Sequence, residues 1–303
     1  MRHTTHLSLL LLTNAARAFP ASSRTVPLLA QYGRLIVFGD SFSDNGTGAW
    51  EVSSHTWPAD PAYSSHAFSN GPVWPEDLSH ALSAQLLDYA VGGATADNSV
   101  VTGYTGPNST IRVPSAREQV ERFLREDAPR EDDLFVHYIG ANDILFDATI
   151  TGSAVTSLIN ADVQRLWAAG AKHVLLANYP PVSAFPATYN DATYRAIGPV
   201  YEASLDRGLA NIQAAWRAYL RIGVVDVQGL FADIVANPGE YGIRKEYVDP
   251  PTPCLKGTYG SGARSVCTDP EKHLFWDGYH PVATVHERIA KLFERALKTL
   301  DTR

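Results

Sequence analysis

Five short and largely apolar runs recur along the chain, and three of them lead directly into glycine. They lie at 35–38, 86–91, 134–139, 173–177 and 222–226. Runs of this length without polar alternation are typical of strands that are buried on both faces of a sheet. The pattern therefore predicts five parallel strands.

Helical spacing of apolar residues is found in the segments between these runs. We predict helices at 76–84, 115–126, 154–169, 199–221 and 283–300. Gly170 follows the third of them and provides a stop signal. Strands that alternate with helices predict an α/β fold in which helices cover both faces of one parallel sheet. No internal repeat or linker interrupts the sequence pattern, so we predict one domain over residues 19–303.

The first eighteen residues have the three regions of a secretory signal peptide. Arg2 precedes a mostly apolar run at 7–12, and the small-x-small pattern at 16–18 follows. The apolar run is too short to span a bilayer, and no later stretch is long enough. We therefore predict cleavage after Ala18 and a secreted, extracellular protein without a transmembrane segment.

Charge and cysteine content narrow the possible partners and cofactors. The net charge is −7 and there is no basic run, which excludes nucleic-acid binding through a basic patch. The chain has two cysteines, Cys254 and Cys267, and two nearby cysteines in a secreted chain most simply pair. Because no histidine cluster has ligand spacing, we predict no metal and no other cofactor. The oligomeric state stays open.

Two stretches match the N-glycosylation pattern, 45–47 and 108–110. Asn108 lies in a polar loop and is the preferred candidate. Asn45 follows Ser41 by four positions, and a glycan there would block a site built on that serine.

Polar groups suited to acyl transfer follow three of the predicted strands. Ser41 follows the first strand, the pair Gly92 and Gly93 the second, and Asn142 the third. In open α/β sheets, ligands bind at this carboxyl edge. We therefore expect these groups to face one site.

A carboxylate and an imidazole stand close together near the C-terminus. Asp277 and His280 are three positions apart, so one turn of the chain can bring them into contact. A serine hydroxyl needs a base such as histidine, a carboxylate that orients the imidazole, and N–H or amide donors for the oxyanion. The chain has a candidate for each of these roles.

Four sequence blocks resemble those of the GDSL, or SGNH, hydrolases. They read FGDSFSD at 38–44, AVGGAT at 90–95, IGAND at 139–143 and FWDGYHP at 275–281. A fifth stretch, FSNGPVW at 68–74, is similar to one common in fungal and plant members. The resemblance implies a three-layer α/β/α, flavodoxin-like fold with a five-stranded parallel sheet, and ester hydrolysis as the activity.

The resemblance also implies a role for each site residue. Ser41 would be the nucleophile, His280 its base and Asp277 the orienting carboxylate. The backbone N–H groups of Ser41 and Gly93, together with the amide of Asn142, would form the oxyanion hole. Gly92 is the alternative to Gly93 for the second donor.

The substrate is predicted from the same resemblance, and alternatives stay open. The chain is similar to secreted fungal acetylesterases of carbohydrate esterase family sixteen, which implies a small ester or an acetylated oligosaccharide as substrate. The segment 45–75 mixes aromatic with polar residues, and its candidate sugar contacts are Trp50, Trp57 and Trp74. The alternatives are a lipase or phospholipase acting on longer acyl esters, and a secreted binding protein that has this fold without catalysis.

Overall fold

A five-stranded parallel sheet lies at the centre of the structure, in the order β2-β1-β5-β6-β7. The computed structural model describes residues 32–58, 61–257 and 264–300, so the predicted signal peptide at 1–18 lies outside the described residues. Two antiparallel pairs, β3 with β4 and β8 with β9, are separate from the main sheet. The strands are β1 (Arg34–Gly39), β2 (Gln85–Asp88), β3 (Tyr104–Thr105), β4 (Ile111–Arg112), β5 (Asp133–Tyr138), β6 (His173–Ala177), β7 (Arg221–Val225), β8 (Leu255–Lys256) and β9 (Ser265–Val266).

Helices cover both faces of this sheet, as predicted. Because consecutive side chains of a strand point to opposite faces, two neighbours on β5 identify the layers. His137 contacts Asp162 on one face, and Tyr138 contacts Trp74 and Phe293 on the other. The fold is therefore the predicted α/β/α arrangement. The helices are α1 (Gly48–Val52), α2 (Trp74–Leu82), α3 (Ala116–Glu126), α4 (Ala141–Phe146), α5 (Gly152–Ala169), α6 (Ala192–Trp216), α7 (Val227–Ala236) and α8 (Ala283–Leu300).

Local signals account for the helix ends that the sequence predicts well. The Ser115 side chain accepts the N–H of Glu118, whose carboxylate accepts the N–H of Ser115, so α3 begins with a capping box. Helix α5 ends at Gly170, which has a φ of 112° and is free of the strain that a Cβ would bring.

Three predicted boundaries are wrong by more than two residues: the end of the second strand, and both ends of the helix predicted at 199–221, which ends at Trp216. The second strand ends at Asp88 rather than at residue 91, although Tyr89 N–H and Val91 N–H still donate to β1. Helix α6 begins at Ala192 rather than at Pro199, because the Asp191 side chain caps it by accepting the N–H of Thr193. A proline inside the helix removes one N–H, and the helix accommodates it.

The two cysteines form the predicted disulfide, Cys254–Cys267, which joins the ends of the hairpin made by β8 and β9. Backbone hydrogen bonds then attach this hairpin to the segment 275–276: Cys254 N–H donates to Phe275 and Leu255 N–H donates to Trp276. Within the described part of the chain, no helix is long and apolar enough to cross a membrane.

Candidate active site

Ser41 lies just beyond the carboxyl end of β1, on a tight turn. The Asp40 carbonyl accepts the N–H groups of both Ser43 and Asp44, which closes the turn. A Cβ at Gly39 would come within 2.8 Å of the Tyr138 carbonyl oxygen, so glycine permits the close passage of β1 and β5. The turn leaves Ser41 half-buried at the edge where the predicted ligand site lies.

The structure brings Ser41, His280 and Asp277 together as the sequence predicts. Nε2 of His280 lies 2.7 Å from the Ser41 hydroxyl oxygen, and Nδ1 lies 2.9 Å from both carboxylate oxygens of Asp277. Because Nδ1 donates to the carboxylate, Nε2 is the acceptor that faces the hydroxyl. Asp277 is fully buried, and its Oδ1 also accepts the N–H groups of Tyr279 and His280.

The loop after β2 supplies a second N–H group beside the serine. Gly92 N–H donates to the buried carboxylate of Asp44 at 2.8 Å. Gly93 N–H and Ser41 N–H have no acceptor within residues 32–58, 61–257 and 264–300, and both residues line the same cleft. Gly93 also has a φ of 91°, and a Cβ there would lie 2.0 Å from the Tyr104 carbonyl oxygen. The geometry thus favours Gly93 over Gly92 as an oxyanion donor.

Asn142 stands in the first turn of α4, a helix that the sequence analysis did not assign. Its Nδ2 donates to the Ala94 carbonyl at 2.9 Å and to Asp40 Oδ2 at 3.2 Å. These two acceptors orient the amide nitrogen toward the loop that carries Gly93. Asn142 lines the cleft with Ser41, so the structure brings the third predicted oxyanion donor to the site as well.

The Asp40 carboxylate is buried beneath the serine turn. It accepts hydrogen bonds from Tyr179 Oη at 2.7 Å and from Phe42 N–H at 3.0 Å, in addition to the Asn142 amide. Burial raises the pKa of Asp40 to about 6, and the hydrogen bonds from Phe42 N–H and Tyr179 Oη oppose that rise. Burial likewise raises the pKa of Asp44, whose carboxylate gathers four backbone N–H groups, including that of Gly92.

A cleft of about 600 Å³ opens over Ser41. Aromatic and aliphatic side chains surround it together with polar side chains, of which some are buried and some exposed. The apolar lining is Trp57, Phe68, Tyr104, Leu145, Phe146, Phe185, Tyr194 and Tyr279, and the polar lining away from the serine includes Thr105, Asn108, Ser109, Thr188 and Asp191. Such a mixture suits a ligand with both apolar and hydroxyl-bearing faces.

The three predicted tryptophan contacts have different positions. Trp57 lines the cleft. Trp50 is outside the cleft lining, and its ring stacks on His66 with centroids 3.5 Å apart. The prediction for Trp74 is wrong: this residue is 0% exposed because it begins α2 and stacks on Phe293 of α8 at 4.2 Å. Burial between two helices is not visible in the composition of the segment 45–75.

The predicted modification site lies at the cleft. Asn108 is exposed on a turn at 107–109 between β3 and β4, and it lines the rim. Asn45 is half-buried, and its side chain accepts the Thr47 hydroxyl hydrogen at 2.8 Å. A glycan on Asn108 would therefore also stand beside the cleft and obstruct it.

One cluster within the described residues has metal-ligand spacing: Cys267, Asp269 and His273. Cys267 is held in the disulfide with Cys254. Its sulfur therefore cannot act as a thiolate ligand.

Comparisons with known proteins identify relatives over most of the chain. A phosphatidylcholine-sterol acyltransferase from Aeromonas hydrophila is 27% identical, and the alignment covers 86% of this chain and 88% of that protein. An acetylesterase from Hypocrea jecorina is also 27% identical, with coverage of 86% and 87%. Among solved structures, a carbohydrate acetylesterase family member from Sinorhizobium meliloti is 14% identical, covers 88% of this chain and 98% of its own, and has a TM-score of 0.47. That structural likeness is too distant to bear on activity.

The family assignment rests on the sequence match to a whole domain. Residues 35–293 match the family described as GDSL-like Lipase/Acylhydrolase. The matched segment runs from β1 into α8 and includes Ser41, Gly93, Asn142, Asp277 and His280. The chain therefore belongs to the GDSL-like lipase and acylhydrolase family and is an esterase or lipase-type hydrolase.

Proposed function

We propose that the protein is a serine esterase that cleaves carboxylic esters through an acyl-enzyme on Ser41. The observation that carries this proposal is the continuous hydrogen-bonded chain from the Ser41 hydroxyl through His280 to the buried Asp277 carboxylate. His280 Nε2 lies 2.7 Å from the Ser41 hydroxyl oxygen, which is within the reach that proton transfer requires. His280 Nδ1 lies 2.9 Å from the Asp277 carboxylate, which orients the imidazole.

The proposed reaction begins with attack of Ser41 Oγ on the ester carbonyl carbon. His280 Nε2 takes the hydroxyl proton, and Asp277 stabilises the imidazolium that results. The oxyanion accepts hydrogen bonds from the N–H groups of Ser41 and Gly93 and from the amide of Asn142. For the amide to donate, one of its two hydrogens must leave its present acceptor, and the 3.2 Å contact with Asp40 Oδ2 is the longer of the two. His280 then gives its proton to the departing alkoxide, which leaves as the alcohol.

The second half of the reaction removes the acyl group. His280 Nε2 takes a proton from a water molecule as the oxygen of that water attacks the acyl carbon. The tetrahedral intermediate collapses with release of the carboxylic acid, and the proton held by His280 returns to Ser41 Oγ. The same donors stabilise both oxyanions, so one site serves both steps.

For the substrate, we propose acetyl groups on hemicellulose-derived oligosaccharides. The rim of the cleft combines the aromatic rings of Trp57 and Tyr104 with the polar groups of Asn108, Ser109 and Asp191. Aromatic rings pack on the apolar faces of sugars, and the polar groups bond their hydroxyls. The Hypocrea jecorina acetylesterase supports this choice. Membership of carbohydrate esterase family sixteen and secretion after loss of residues 1–18, with 19–303 as one domain, stay predictions.

A second candidate is hydrolysis or transfer of longer acyl chains. It is favoured by the apolar side chains of Leu145, Phe146 and Phe185 in the cleft, and by the relative whose name describes an acyltransferase acting on phosphatidylcholine. A long acyl chain needs such a continuous apolar surface. A non-catalytic binding protein on the same fold is the alternative of a different class.

Two measurements separate these candidates. The first is kcat/KM on acetyl, butyryl and long-chain nitrophenyl esters, with acetate release from acetylated xylo-oligosaccharides measured alongside. We expect the acetyl ester to be cleaved fastest and acetate to be released from the oligosaccharides. A preference for acyl chains of eight or more carbons would support the lipase hypothesis. The second is labelling by an active-serine phosphonate, to which a binding protein without an activated serine would not react.

A further inference from the structure

The Asp277 carboxylate has a contact that the proposed reaction does not use. Its Oδ2 accepts a hydrogen bond from Tyr63 Oη at 2.6 Å, although the two residues are 214 positions apart. Tyr63 is only 3% exposed. Building on the proposed esterase function, we propose that Tyr63 is a positioning residue: it holds Asp277 in line with His280 and limits how much of the carboxylate charge faces the imidazole.

Arg264 fixes the direction of this hydrogen bond. Its Nη1 lies 3.2 Å from Tyr63 Oη, and its guanidinium carbon lies 5.4 Å from the centre of the Tyr63 ring. A guanidinium can only donate, so the phenolic oxygen must be the acceptor in that contact. The phenolic hydrogen is then left to point at Asp277. The tyrosine hydroxyl thus links a cation to the carboxylate of the triad.

The two oxygens of Asp277 are held by different kinds of donor. Oδ1 accepts the backbone N–H groups of Tyr279 and His280, which belong to its own segment. Oδ2 accepts the Tyr63 hydroxyl, which comes from a distant loop. With a donor on each oxygen, the carboxylate cannot rotate without losing a hydrogen bond. Without the Tyr63 hydroxyl, Oδ2 would keep its 2.9 Å contact with His280 Nδ1 but would lose the donor from the distant loop.

The hairpin closed by the disulfide connects Arg264 to the same segment. Arg264 directly precedes β9. At the other side of the hairpin, Cys254 and Leu255 donate backbone hydrogen bonds to residues 275 and 276, just before Asp277. The hairpin therefore holds both the backbone of the triad segment and the cation above Tyr63. This arrangement restrains Tyr63 and Asp277 relative to each other.

Removal of the Tyr63 hydroxyl has two expected effects. More of the carboxylate charge then acts on the imidazole and favours its protonated form, so the acid limb of the kcat/KM profile moves to higher pH. Looser orientation of His280 lowers kcat by roughly tenfold, the scale expected for one hydrogen bond to a charged group. KM stays within about twofold, because Tyr63 is not part of the cleft lining.

Other charged or titratable groups lie near Asp277 and His280, and they remain in place when Tyr63 is replaced by phenylalanine. Arg264 of the hairpin faces Tyr63, and Tyr279 follows Asp277 within its own segment. Asp40 below the serine turn and His286 of α8 lie near His280. A shift of the acid limb on changing Tyr63 alone is therefore attributable to its hydroxyl.

The test compares Tyr63→Phe with Tyr189→Phe. Tyr189 Oη donates to Asp249 at the same 2.6 Å, outside the cleft lining, so its variant makes the matched chemical change away from the triad. We expect the kcat loss and the upward shift of the acid limb in Tyr63→Phe only. A Tyr63→Phe enzyme with the wild-type kcat and pH profile, or with an acid limb moved to lower pH, would overturn the proposal.

Arg264→Met provides an independent arm should Tyr63→Phe fail to fold, as judged by its melting temperature. We expect a smaller kcat loss and an acid limb moved in the same direction, whereas an unchanged profile would contradict the proposal. In the double variant, Arg264→Met should add little to the kcat loss of Tyr63→Phe, and full additivity would contradict action through Tyr63.

Ser41→Ala, assayed in parallel, separates the proposed esterase function from the proposed role of Tyr63. Wild-type activity in that variant would remove the proposed function itself. An inactive Ser41→Ala combined with a fully active Tyr63→Phe would remove only the role of Tyr63.

Discussion

The Ser41 hydroxyl oxygen lies 2.7 Å from Nε2 of His280, although 239 positions separate the two residues along the chain. The serine is fixed by the turn after β1, and the histidine is fixed by the short segment that precedes α8. Trp276 N–H donates to the His280 carbonyl at 2.7 Å, which folds that segment back on itself. Two local structures at opposite ends of the chain thus produce one hydrogen-bonded pair.

Substitutions of the triad residues should lower kcat by amounts that follow the role of each residue. We expect His280→Ala to lower kcat by several orders of magnitude, because the hydroxyl loses its base. Asp277→Asn should lower kcat by a smaller factor, since backbone N–H groups still hold the side chain near the imidazole. Steady-state kinetics of both variants, with melting temperatures as the folding control, check the order. A larger loss of kcat in Asp277→Asn than in His280→Ala would contradict this order.

The amide of Asn142 should matter for turnover rather than for binding. We expect Asn142→Ala to lower kcat by roughly 10²–10³ with little change in KM, as for loss of one oxyanion donor. The measurement is kcat and KM on one short-chain ester. A change confined to KM would instead make Asn142 a substrate-binding residue.

The two half-buried tryptophans Trp50 and Trp57 should differ in their effect on sugar esters. Trp57 lines the cleft, whereas Trp50 stacks on His66 outside it. We expect Trp57→Ala to raise KM for acetylated xylo-oligosaccharides by about tenfold, equivalent to loss of roughly 1.4 kcal/mol of binding. Trp50→Ala is the matched control and should leave KM unchanged. Equal effects of the two substitutions would remove Trp57 from the substrate site.

The positions of these tryptophans show which parts of the structure can be predicted from the sequence. Ser41, Asp277 and His280 are predictable because each lies in a short block whose local turn presents its side chain. The five strands are predictable because buried parallel strands are apolar throughout. Trp74 and Tyr63 lie in the same loop-rich region, and their surroundings depend on distant elements: Trp74 is covered by Phe293, and Tyr63 is bonded to Asp277. Contacts of this kind leave no periodic pattern in the sequence.

His286 should make the protein less stable in mild acid. Burial, with a smaller contribution from His280, lowers the pKa of His286 to about 3, well below its usual 6.5. The folded state therefore binds fewer protons than the unfolded state between these values. The stability associated with the neutral ring is complete above about pH 6.5 and is lost as the pH falls toward 3, by about 1.4 kcal/mol per pH unit.

Urea unfolding of the wild type and His286→Gln from pH 7 to pH 4 tests this prediction. The free energy of unfolding should fall more steeply with acidification in the wild type than in the variant. His55→Gln, which removes an exposed histidine, is the control. Parallel curves for the wild type and His286→Gln would contradict the assignment.

Catalysis by Ser41 can be tested through the mass of the acyl-enzyme. Rapid acid quench of the protein during turnover of a nitrophenyl acetate, followed by peptide mass spectrometry, should find one acetyl group on Ser41. The Asn142→Ala variant, which reacts more slowly, serves as a second sample, and Ser41→Ala should carry no acetyl group. Acetylation at another residue in the wild type, or equal ester hydrolysis by Ser41→Ala, would show that Ser41 is not the nucleophile.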